Sequence, residues 1–119
     1  MDGMDNKALG QVFRKKYEEI VKCVTPDSII DVLYSKKIIS SDDNYNLCHV
    51  PDPRNRCRQM MLLLADSSHP EAFVRLYRAL MAQETYSWIV KDIDEKVQQL
   101  LHMDNSLNGN FLSWVSNLT

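Results

Sequence analysis

The sequence predicts an all-α domain: six short helices packed as a mostly antiparallel bundle. Three observations carry that prediction. Apolar residues recur at spacings of three and four along most of the chain. Helix-start signals return at short intervals, and no stretch alternates apolar and polar with a strand's period. The length of 119 residues suits one domain, and 45% apolar with 25% charged residues is the balance of a folded globule. Four prolines and three glycines argue against a loop-rich chain. No internal repeat is visible, so a solenoid is not expected.

Leu9, Val12, Phe13, Tyr17, Ile20, Val21 and Val24 form one apolar stripe, which places a first helix from about Asp5 to Cys23. Arg14, Lys15, Lys16, Glu18, Glu19 and Lys22 fill its remaining positions. Thr25-Pro26-Asp27 restarts the chain: Thr25 as cap, Pro26 at the first helical position, Asp27 against the positive end of the dipole. Ile29, Ile30 and Leu33, with Tyr34, supply the core face of a second helix that ends near Lys36-Lys37. Ile38-Ile39 reads as an apolar plug between helices.

Ser40-Ser41-Asp42-Asp43 then opens a third helix of barely two turns, carrying Tyr45, Leu47 and Cys48. Asp52-Pro53 starts the fourth, whose inward stripe is Cys57, Met60, Met61 and Leu64. Ser67 to Glu71 announces the fifth, with Ala72, Phe73, Leu76, Tyr77, Leu80 and Met81 facing inward and His69 at the cap. After a weak break at Gln83-Glu84-Thr85, residues Tyr86, Ile89, Val90, Ile93, Val97, Leu100 and Leu101 mark the sixth, with Trp88 half-buried. Such short connections force neighbouring helices together. The expected bundle is residues 1–101. Residues 102–119, polar and broken by Gly109 before an apolar end at Phe111–Leu118, read as a linker-like tail that docks back or leads onward.

Charge and motif content narrow the function. Lys and Arg (14) nearly balance Asp and Glu (16), for a net charge of −2, which excludes a generally basic nucleic-acid binder. The longest apolar run, Met60 to Ala65, is far short of a membrane span. The opening Met1-Asp2-Gly3 lacks the basic-then-apolar pattern of a secretory signal, so a cytoplasmic location is expected. No phosphate-cradling glycine loop, metalloprotease motif or nucleophile elbow is present, and no catalytic residue is nominated. Cys23, Cys48 and Cys57 form no CxxC pair, and His49, His69 and His102 fall at no zinc-finger spacing. Cys48-His49 is the one adjacent metal-capable pair. Reduced thiols packed in a core are expected, with no metal and no cofactor.

What remains informative is where charge falls. The first helix carries a basic excess, the second and third an acidic one, and the fourth opens with Arg54, Arg56 and Arg58. Arg54 and Arg58 are four apart and share a helix face. Cations at a helix start oppose the macrodipole, so a cluster there is more readily explained by a partner than by folding. On charge position alone, Arg56 and Asp27 belong to the same reading.

The order of these helices resembles the caspase recruitment domain (CARD), a member of the death-fold superfamily. Three segments carry the resemblance, Ile30-Asp31-Val32-Leu33-Tyr34-Ser35-Lys36-Lys37-Ile38-Ile39-Ser40, Arg56-Cys57-Arg58-Gln59-Met60-Met61-Leu62-Leu63-Leu64 and Glu71-Ala72-Phe73-Val74-Arg75-Leu76-Tyr77-Arg78-Ala79-Leu80. It covers about residues 5–101. The resemblance implies a six-helix antiparallel Greek-key bundle that binds other CARDs, in a caspase, an adaptor or a nucleotide-binding receptor. It also implies that a basic surface on helices one and four meets an acidic surface on helices two and three of the partner. Arg54 and Arg58 match the fourth-helix arginines, and Arg14 or Lys15 the first-helix base. Asp31 matches the second-helix acid, and Asp42 or Asp43 that of the third. Lys36-Lys37 departs from a purely acidic second surface. Both patches lie on one chain, so the contact is head to tail and builds an open filament or a disc. Other death-fold subfamilies (pyrin, death-effector) and a helical nucleic-acid or anionic-surface binder are the alternative readings. Partners expected are proteins, with no nucleic acid and no membrane.

Overall fold

The structure is a computed structural model that describes the backbone of residues 5–118 and the side chains of residues 5–102. Among them it is all-helical. The helices are α1 (Asn6–Lys15), α2 (Tyr17–Cys23), α3 (Asp27–Ser35), α4 (Ser41–Cys48), α5 (Pro53–Ala65), α6 (Ala72–Met81) and α7 (Ser87–Leu118), with a 3-10 turn at Glu84–Tyr86. The expected six become seven because the first helix is broken at Lys16, whose φ of −99° and ψ of 13° leave the helical region. The break has a packing cause. One apolar stripe must serve two sets of neighbours, and the bend lets α1 lie on α6 and α7 while α2 lies on α5.

Four of the helices, α1, α4, α5 and α6, start where a side chain accepts from their orphan amides, though not always the residue the sequence suggested. Asp5 accepts from the Lys7 amide, and Asp52 accepts from the Asn55 amide ahead of Pro53. Ser40 and Asp43 form a reciprocal capping box. At α3, however, Pro26 is the cap residue and Thr25 contributes no side-chain bond; its amide instead donates to the Tyr86 hydroxyl at 2.8 Å. At α6 the cap comes from far away. Asn6 accepts from the amides of Phe73 and Val74, at 2.7 and 3.1 Å, tying the first helix to the start of the sixth. His69 does act locally, its Nδ1 accepting from the Glu71 amide. α3 ends in a Schellman turn, with the Ile38 amide on the Leu33 carbonyl and the Lys37 amide on that of Tyr34. Lys37 there has a φ of 63°, the left-handed conformation that glycine usually supplies.

The core is one continuous cluster whose largest fully buried side chains include Phe13, Leu9, Ile20, Leu33, Met60, Leu76 and Ile93. Phe13 stacks on Phe73 with centroids 5.7 Å apart. Beside them α1 lies close against α6 at Gly10, where an added methyl would stand 3.1 Å from the Phe73 ring. Four expected inward residues instead face outward: Tyr34, Tyr45, Cys48 and Met81. All lie in short helices or last turns, where a single apolar position has too little neighbouring surface to bury it. Trp88 is half exposed. Of the thiols only Cys57 is in the core; Cys23 and Cys48 are exposed.

α7 continues as one 32-residue helix through the segment read as linker-like. A single glycine and no proline are too few breakers to stop a helix already nucleated by packing. Whether residues 102–119 dock back on the bundle lies outside the described side chains. Among the described residues no helix is long and apolar enough to cross a membrane.

Candidate protein-interaction surface

Three contacts fix how α1 and α2 run along α5. Arg14 reaches the Ala65 carbonyl at 3.4 Å, Glu18 stands 3.5 Å from Arg58, and the Cys57 thiol lies 4.0 Å from the Ile20 carbonyl. Numbers rise on one side as they fall on the other, so the elements are antiparallel. One turn beyond the Glu18–Arg58 pair, Lys22 on α2 therefore comes level with Arg54 on α5. The result is an exposed row of Lys22, Arg54 and Arg58, tempered by Glu18. Arg54 has no ion-pair partner among the described residues, and the Arg58 side chain is 42% exposed. Lys22 was readable from the sequence, but only the antiparallel register aligns it with Arg54.

Arg56 belongs to the opposite side. Residues two apart on a helix are rotated about 200° from each other, and Arg56 turns inward while Arg54 and Arg58 turn out. Its guanidinium donates to Asp27 at 2.7 Å, twice to the Val50 carbonyl at 3.0 and 2.7 Å, and to Pro51 at 3.4 Å. The side chain is only 14% exposed. Arg56 thus clamps the α4–α5 connection to Asp27 at the start of α3, while the Asp27 side chain itself stays 65% exposed. Arg56 therefore does not share the outer face of Arg54 and Arg58.

The other expected residues divide as well. Asp31 on α3 and Asp42 in the first turn of α4 are exposed and unpaired among the described residues. Asp43 is held in the capping box, where it accepts from the Ser40 amide, so its role is structural. Arg14 and Lys15 diverge because they are neighbours on a helix. The Arg14 guanidinium lies 5.8 Å from the Phe73 ring centre, on the α5–α6 side. Lys15 faces α7 across a groove of about 240 Å³ shared with Gln11, Lys16, Lys96 and Leu100.

Lys16, read as one more solvated charge, is mostly covered. It binds Glu19 at 2.7 Å and also Asp92 on α7, and both bonds hold its ammonium above the usual lysine range. The same lysine holds the Asp92 carboxyl below its ordinary range. Tyr77 on α6 donates to Asp94 on α7; burial first, then that bond, pushes its hydroxyl up to about 12. Burial likewise pushes the Cys57 thiol up to about 11, which leaves it unreactive. Cys48 and His49 are engaged within α4, with Asn44 and the Tyr45 carbonyl. Among the described residues no three metal-capable side chains converge.

Among the exposed apolar side chains are Tyr45 on α4 and Leu62 on α5, at 63% and 53% exposure. The sequence signal for Leu62 was its position: it repeats the Arg54–Arg58 spacing once more. No protein-family model, no curated protein and no solved structure matches this chain.

Proposed function

We propose that this chain is a caspase recruitment domain, with α1 and α2 as its broken first helix in a six-helix Greek-key death fold. In this reading it is a non-catalytic, cytoplasmic module. It recruits or assembles a caspase, an adaptor or a nucleotide-binding receptor in apoptotic or innate immune signalling. The observation that carries the reading is the distribution of exposed charge over different helices of one bundle. Arg54, Arg58 and Lys22 are presented along α2 and α5, and Asp31 and Asp42 are presented on α3 and α4. Basic and acidic patches carried on different helices of one chain suit head-to-tail docking, with charge giving orientation and on-rate more than net affinity.

Charge reversal tests it. Arg58→Glu and Asp31→Lys are each expected to abolish assembly in a sedimentation assay, and mixing the two proteins is expected to restore it in part. Single reversals that assemble as well as the unaltered chain would remove this surface from the mechanism.

A further inference from the structure

We infer that the head-to-tail contact is seated by an aromatic knob, Tyr45 of one copy, in an apolar groove beside Leu62 of the next. The inference rests on the docking proposed above and adds the residue pair that sets its register. On the acidic side, Asp42 and Tyr45 are one turn apart on the same face of α4. The Tyr45 ring has a neighbour that holds it: it packs against His49, tilted by 35° with centroids 4.1 Å apart, and His49 Nδ1 donates to the Tyr45 carbonyl at 2.8 Å. A side chain ordered before binding loses little entropy on docking, which is how exposed aromatics become hot spots.

On the basic side, Arg58 and Leu62 are also one turn apart on one face of α5. Leu62 borders a groove of about 240 Å³ lined by Arg14, Tyr17, Met61, Leu62, Ala65 and Phe73, nearly all apolar save the Arg14 guanidinium. That volume is below the usual range for small-molecule sites and suits a single side chain. The spacings agree. Asp42 to Tyr45 is a rise of about 4.5 Å and Arg58 to Leu62 about 6 Å, so one docking register joins acid to base and ring to groove together. Arg14, lying along the groove, offers the incoming ring a cation. The exposed Glu18–Arg58 pair is weak enough to yield Arg58 to Asp42 of the second copy.

Self-association of the full chain, measured by sedimentation velocity over a concentration series, tests this. Tyr45→Ala and Leu62→Ala are each expected to weaken association by about tenfold or more, while Tyr45→Phe stays within about threefold. Both residues are exposed, so helical content by circular dichroism should be unchanged. An equimolar mixture of Tyr45→Ala and Leu62→Ala is expected to give two-chain particles, because one intact knob meets one intact groove and growth then stops. If the charge reversals abolish assembly but Tyr45→Ala or Leu62→Ala leaves it unchanged, the seating is wrong and the docking reading stands. A mixture that shows no two-chain particle also overturns the seating. An unaltered chain that stays monomeric across the series overturns both.

Discussion

The start of α5 and the row of charge just outside it use the same residue types to different ends. Arg56 is 14% exposed, with three hydrogen bonds to the connection between α4 and α5 and a fourth to Asp27 of α3. Arg58, two residues on, is 42% exposed and 3.5 Å from a Glu18 that is itself 67% exposed. A charge withdrawn from water must be fully satisfied, and it then becomes structural. A charge left in water binds its neighbour weakly and stays available. Burial, more than the identity of the pair, separates a charge that holds the fold from one that stays available.

Arg56→Ala is the strongest way to break this comparison. It would strip the Val50 carbonyl of two donors, and a loss of about 2–3 kcal/mol is expected in chemical denaturation. Arg56→Lys should recover little, because an ammonium cannot reach Val50 and Asp27 in the forked geometry. A loss below about 0.5 kcal/mol would show that the clamp is ornamental and Arg56 free.

Lys16 sharpens the comparison at the α1–α2 break. Lys16→Met is expected to cost about 1 kcal/mol near neutral pH, since Asp92 keeps only Lys96 at 3.4 Å. The pH dependence gives the sign. Asp92 titrates below its unfolded value, so its contribution is present above about pH 3.9 and fades as pH falls through the folded value. Lys16 titrates above its unfolded value, so its contribution is full below about pH 10.4 and is lost as pH rises past it. Melting curves of the unaltered chain and Lys16→Met should therefore lie furthest apart between these limits and converge at both ends. A constant gap across the whole range would mean that packing, not charge, holds the break.

The smallest effect is expected for Glu18→Gln. Removing that carboxylate should change stability by less than about 0.5 kcal/mol and leave assembly intact. A loss above about 1 kcal/mol would make Arg58 a structural residue, and the distinction between the two arginines would disappear.

Much of the bundle was legible in the chain. The apolar stripes of α1, α5, α6 and the first half of α7 named the core, because period and burial are the same fact on a long helix. Short helices were read less well. Tyr45 and Cys48 are apolar types at exposed positions, and α4 is too brief for a period to tell the two apart. The candidate surface was half legible. Arg54, Arg58, Asp31 and Asp42 stand exposed, while Arg56 is mostly covered and Asp27 and Asp43 are hydrogen-bonded within the fold. A side chain's partner from a different element leaves no local signature.

The sequence by itself determined that the described chain is helical, where most helices begin, and which long stripes face inward, since these follow from spacing and capping within a few residues. Only the tertiary structure decided that Lys16 breaks the first helix, that Asn6 caps α6, and that Arg56 closes on Asp27. Those outcomes depend on groups brought together from as far as 68 positions apart, and no local pattern encodes what stands across a packed interface.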